Sequence, residues 1–320
     1  MNRTKEMSIP TLIAVISCII CALLLIGGCS GNISDASGKT DNPIEQSTSI
    51  PSPTEIPINA EGMTIKERFI PPDGYTRVEA EPGSFGEYLQ NFKLKPYGES
   101  AYTYDGEVNE ASNTIGVFDQ NVTRWQQCAD SIMRLHAEYL WEKGEYDKIS
   151  YNFTTGFQCD FANWSQGKRV KVTGSKCTWV DKAEPSTSKD TLDAYMDFVY
   201  QYANTESLQN QLTEVSPADV KIGDAFVITS YQMDAELGHA VFVADMAQNE
   251  AGDKLYLIFE GTTPATQINL AKSNDTTYGY WLPLKEDGTL EITKTVWDEE
   301  TASYKEKTWT CPGKYIRRFE

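Results

Sequence analysis

The sequence predicts an α+β fold in which helices pack on an antiparallel sheet, and three observations carry that prediction. An apolar stripe through Cys128, Ile132, Leu135 and Tyr139 has helical spacing. A second one runs through Leu192, Tyr195, Met196, Val199 and Tyr202. Beyond them come three short apolar runs, Ala225 to Thr229, Ala240 to Met246 and Leu255 to Glu260, of strand length and composition.

The elements follow in order. Ser84-Phe85-Gly86-Glu87 fits a capping box and predicts a short helix. Ile115 to Phe118 reads as a strand. A long helix is expected from about Thr123 to Lys143, ended by Gly144. Tyr151, Phe153 and Phe157 mark β-structure running toward Cys159. Val170 to Val172 and Cys177 to Val180 continue it on either side of Gly174. A helix over about Asp190 to Tyr202 precedes the strand-rich C-terminal part. There a turn at Asn249 to Asp253 makes a hairpin of its two flanking strands.

The N-terminus reads as an export signal. Arg3 and Lys5 precede an apolar run, Leu12 to Ile26, of about fifteen residues, short of the roughly 20 that span a bilayer. Its end, Leu25-Ile26-Gly27-Gly28-Cys29, resembles the bacterial lipobox. That resemblance implies cleavage after residue 28 and a diacylglycerol on the Cys29 thiol; the plainer alternative is an anchor helix with Cys29 incidental. Residues 29–63, rich in Ser, Thr, Pro, Asn and Gly, are expected to form a disordered linker. Residues 64–320 then make a single α+β domain, lipid-anchored on the extracytoplasmic side of a bacterial membrane.

Charge narrows the partners. The chain carries −18, and the departing leader removes Arg3, Lys5 and Glu6, a net +1, which leaves about −19. Such a surface repels nucleic acid and anionic head groups, so lipid rather than electrostatics would hold the protein to its membrane. Beyond Cys29 stand Cys128, Cys159, Cys177 and Cys311. Export permits disulfides; these four cysteines allow three complete pairings, and the sequence does not choose among them. If any bond forms, Cys159 with Cys177 is favoured, lying in neighbouring strand segments, while Cys128 is left free.

Histidine is scarce: His136 and His239 are the two in the chain. A zinc site built on histidine is therefore not expected, the mature chain has no C-x-x-C pair, and no metal or cofactor is called for. Gly238-His239-Ala240-Val241-Phe242 opens one strand, and Ile222-Gly223-Asp224-Ala225 opens the strand before it. Together they resemble the papain-like hydrolases of bacterial cell walls. The resemblance implies a papain-like fold, with His239 as the catalytic imidazole and an orienting group at the end of the next strand. The hairpin brings Glu260 to that place. Such a site needs a cysteine near a helix start, which points to Cys128, with Gln126 or Gln127 offering an oxyanion hydrogen bond. The plainer reading makes Cys128 a small core residue, nearly two turns inside a helix that begins at Asn121. By position, His136 is a surface or core residue. Trp125, Trp141, Trp164, Trp179 and Trp281 suit a glycan groove or, more simply, packing.

Scattered motifs carry a second resemblance: Ile65-Lys66-Glu67-Arg68-Phe69, Pro72-Asp73-Gly74-Tyr75, Ser84 to Leu89, Cys128-Ala129-Asp130, Thr154-Thr155-Gly156-Phe157 and Gly238-His239-Ala240. Together they look like a bacterial lipoprotein family known as domain of unknown function 4846, which implies an exported single-domain protein and no particular activity. Two functions stay open. One is a cysteine hydrolase cutting amide bonds such as those of peptidoglycan peptides, with Cys128, His239 and Glu260 catalytic and Gln127 at the oxyanion. The other is a non-catalytic surface lipoprotein that binds a glycan, a peptide or a partner protein.

Overall fold

The computed structural model describes residues 58–298 and 300–320. The expected leader, Cys29 and the linker up to residue 57 lie outside the described residues. The domain opens with α1 (Ile65–Arg68), β1 (Tyr75–Arg77) and α2 (Phe85–Gln90), and Ser84 caps α2 by accepting the Glu87 N–H at 3.2 Å. Next comes the long helix α3 (Cys128–Glu142), which begins at Cys128 and not at Thr123. The backbone from Thr123 to Gln127 is taken up by tight turns, and the Asp130 carboxylate accepts the Gln127 N–H at 2.9 Å. That bond fixes the helix start where an acidic group at the third position favours it. The strand expected at Ile115 to Phe118 is absent as a strand. Val117 and Phe118 each make one isolated bridge, to Asn269 and Leu94.

The middle of the chain forms small units around the far end of α3. They are the hairpin β2 (Ser150–Asn152) and β3 (Gln158–Asp160), α4 (Phe161–Ser165), the hairpin β4 (Lys168–Thr173) and β5 (Lys176–Asp181), α5 (Lys189–Val199) and α6 (Thr205–Gln211). Cys159 and Cys177 sit on these hairpins and are not joined; all four described cysteines are free thiols. Cys159 points into the core, whereas half-buried Cys177 faces the Thr155 hydroxyl at 3.9 Å.

The C-terminal half adds β6 (Thr213–Glu214), β7 (Ala225–Ile228), α7 (Ser230–Met233), β8 (His239–Asn249), β9 (Lys254–Glu260), β10 (Asn269–Leu270), β11 (Leu282–Pro283), β12 (Leu290–Asp298), β13 (Ser303–Cys311) and β14 (Ile316–Arg318). An eight-stranded antiparallel sheet runs in the order β10-β9-β8-β7-β14-β6, with β1 on β8 and β11 on β9. The fold is therefore mixed α+β with a large antiparallel sheet. The Gly-Asp turn ahead of β7 is structural: Gly223 takes φ +96°, and buried Asp224 holds Arg318 of β14 through contacts of 2.6 and 2.7 Å.

Alternation along β8 and β9 divides the core between the two faces of the sheet. Ala240, Phe242, Leu257 and Phe259 pack toward α3 with Ile132 and Leu135. Val241, Val243, Tyr256 and Ile258 pack on the other side, with Leu290, Ile292 and Cys311 of the β12–β13 hairpin. Helices thus cover one face and a hairpin the other. Removing a fully buried ring such as Phe242 would cost about 3–5 kcal/mol.

Candidate active site

His239 begins β8, paired with Ile228 at the end of β7. Its neighbour Gly238 allows this entry, because a Cβ there would lie 2.6 Å from the Ile228 carbonyl oxygen. Glu260 ends β9 on the same face of the sheet. Gly261, next in the chain, packs against the first turn of α3, where a Cβ would meet the Ser131 hydroxyl at 2.3 Å. These two glycines let the sheet edge close on the start of α3, which brings together residues far apart in sequence. Nε2 of His239 lies 2.7 Å from Glu260 Oε2, and since a carboxylate only accepts, Nε2 carries the proton. The Cys128 thiol, first residue of α3, lies close enough to the same imidazole and to the backbone N–H groups of Ala129 and Ala240 to feel all three electrostatically. With Nε2 committed to Glu260, Nδ1 is the nitrogen left for the sulfur.

Electrostatics set the protonation pattern. Burial pushes the Cys128 thiol up, but the hydrogen bond and charge of His239, helped by the two amides, outweigh it and leave the thiol below its ordinary value. Burial and the charge of Lys294 pull His239 down, yet its bonds to Cys128 and Glu260 carry it above its usual value. Both directions favour a thiolate–imidazolium pair. Glu260 is buried, which raises it, but Lys294 and His239 bring it down to about 2. Other buried thiols behave in the ordinary way: burial pushes Cys159 up, and Cys311 up to about 12.

Lys294 went unnoticed in the sequence. It reaches from β12 and donates to the same Glu260 Oε2 that His239 engages. From β13, Trp309 sets its ring edge-on to His239, 5.3 Å between centroids at 85°, while Lys294 lies 5.7 Å from the Trp309 ring. The hairpin therefore braces the imidazole and neutralises its carboxylate partner. A signal was present in the spacing, because Leu290, Ile292 and Lys294 share a face at intervals of two, and the first two are core residues.

Cys128 is 5 % exposed and lines a cleft of about 270 Å³. Gln127, Asn204 and Thr263 line it too, with Trp125 and Leu237 exposed along it. Gln127 is the glutamine placed at this cleft. Gln126 is instead fully buried, and its side-chain oxygen accepts from Arg134 at 2.7 Å. His136 lies away from the site, stacked on Phe319 at 3.8 Å, and burial lowers it to about 3. Among the described residues no cluster of three or more His, Cys, Asp or Glu could hold a metal ion. Nor is any helix among them long and apolar enough to cross a membrane.

Residues 65–305 match the family described as domain of unknown function (4846). The chain belongs to this family. Cys128, His239, Glu260 and Lys294 all fall within the matched segment. No curated protein matches the chain, and no solved structure does.

Proposed function

We propose that this protein is a lipid-anchored cysteine hydrolase of papain-like type, cleaving amide bonds of the cell envelope such as those of peptidoglycan peptides. The observation that carries the reading is one continuous chain of interactions, Cys128 to His239 to Glu260, with Cys128 lining a cleft. The Cys128 thiolate attacks the amide carbonyl, and the oxyanion takes a hydrogen bond from a neighbouring amide or from Gln127. Imidazolium His239 then gives its proton to the departing amine, the C–N bond breaks, and a thioester to Cys128 remains. Neutral His239 next takes a proton from water. The hydroxide adds to the thioester, the C–S bond breaks, and the carboxylic acid product leaves as the thiolate–imidazolium pair is restored. Glu260, held ionised by Lys294, keeps Nε2 protonated and the ring in place. Exposed Glu236 is the acidic side chain at the cleft that stays in water, whereas burial pushes Asp130 well up; Glu236 suits an amide close to a free amine better than one beside a carboxylate.

The test is hydrolysis of purified peptidoglycan peptides, read as newly released amino groups. Cys128→Ala should lower turnover on the order of 10⁴-fold or more while the far-UV spectrum is unchanged. Unchanged hydrolysis by that variant would end the proposal. The low exposure of Cys128 favours the rival reading, a non-catalytic binding lipoprotein. Iodoacetamide at neutral pH separates the two, since a thiolate labels readily and an inert thiol supports the binder. The lipid anchor has its own test: incorporation of a labelled fatty acid should vanish in Cys29→Ala, and retained label would refute it.

A further inference from the structure

Away from the catalytic cleft, a second cavity of about 550 Å³ opens between α2, the middle of α3 and the end of β14. Its wall is apolar and rich in rings: Phe85, His136, Tyr139, Leu140, Ile222 and Phe319. One polar atom in that wall is unused. Tyr151 gives its hydroxyl proton to the Met133 carbonyl at 2.7 Å, so at 3.4 Å it can only accept from Nδ1 of His136. The His136 proton therefore sits on Nδ1, and Nε2 is a bare acceptor. Among the described residues Nε2 has no hydrogen-bond partner. The residue is 92 % buried but lines the cavity, and Nε2 is not among the sealed atoms that lack partners. The ring stays neutral well into acid, because burial lowers it to about 3. Tyr139 offers no free proton either, as it donates to the Gly83 carbonyl at 2.8 Å.

Charges at the mouth cancel. Lys143 and Lys148 both pair with Glu145, at 3.3 and 2.7 Å, and Arg318 pairs with Asp224 at 2.6 Å. Lys221 and Glu81, also at the lining, are of opposite sign, Glu79 pairs with Lys66, and Glu320 offsets the extra lysine. An ion gains little there, whereas an uncharged apolar ring loses nothing polar on entry.

We propose that this cavity binds an uncharged ring compound with one hydroxyl or N–H group, which donates its hydrogen bond to Nε2 of His136. A polyhydroxylated sugar fits poorly, since its further hydroxyls would be buried unpaired. This inference does not depend on the hydrolase reading.

The probes are 2-naphthol and its methyl ether, 2-methoxynaphthalene, which keeps the rings and lacks the donor. The chain's two histidines give two imidazoles to follow by ¹⁵N spectroscopy of the labelled whole protein. 2-Naphthol should move the Nε2 signal of His136, leave that of His239 in place, and bind about tenfold tighter than the ether. An unmoved His136 signal at saturation, equal affinity for the ether, or movement of His239 alone would each overturn the proposal. His136→Phe keeps the ring stack and removes the acceptor, and should equalise the two affinities. Should that variant not fold, the spectra of the unaltered protein decide.

Discussion

His136 and His239 are almost equally buried, 8 % and 6 % exposed, and each lies against an aromatic ring. Yet burial lowers His136 to about 3, while His239 ends above its ordinary value. The difference lies in the neighbours. Around His136 are Phe85, Tyr139 and Phe319, with one hydroxyl that accepts its proton. Around His239 are a thiol and a carboxylate, both stabilising the imidazolium. Removal from water costs both rings alike; partners of opposite charge decide which one holds a proton near neutrality.

That contrast can be broken most sharply by mutation. His239→Ala should lower kcat/KM on the order of 10³-fold or more. His136→Ala should leave it within a few-fold and instead cost about 2–4 kcal/mol of stability, measured by urea unfolding. Similar losses of activity in both variants would erase the distinction.

A smaller effect is expected at Lys294. Lys294→Met should reduce kcat/KM about tenfold, because Glu260 loses the cation that keeps it ionised. The charge of Lys294 lowers His239, so its removal should move the alkaline limb of the pH profile to higher pH. A limb that stays put would show Lys294 to be structural only.

Direct titration sharpens the comparison further. In ¹⁵N spectra His136 should remain neutral down to about pH 3, whereas His239 should still hold its proton above pH 6.5.

The smallest expected effect is on stability. Glu260 drops from an ordinary 4.5 to about 2 on folding. Its contribution is therefore complete above pH 4.5 and is lost as pH falls toward 2. Tm should fall across that window in the unaltered protein and less steeply in Glu260→Gln. Parallel curves would mean that the carboxylate gains nothing on folding.

Much of this arrangement is legible where the signal is local. The Ser84 cap, the strand runs, the Gly-His entry and the short hairpin that returns Glu260 are all patterns within a few residues. The start of α3 was misplaced because its cap is a backbone N–H taken by Asp130, three residues inside the helix, rather than an upstream Thr or Asn. That error fed the view of Cys128 as two turns inside a helix, and the observed start at Cys128 removes it. The hairpin β12–β13 escaped notice since most of β13 is exposed and polar, and Lys294 looks like any solvated lysine until Leu290 and Ile292 reveal which way its face turns. The cavity beside His136 has no sequence signature, because its walls come from segments more than two hundred residues apart.

The separation between Cys128 and the imidazole that acidifies it has a consequence for biogenesis. More than a hundred residues must follow the cysteine before His239 exists, and the Lys294 brace comes later still. An emerging polypeptide therefore carries an unremarkable thiol, protonated and slow to react. On the proposed hydrolase reading, reactivity would arrive only with closure of the sheet on α3, once the last strands have docked.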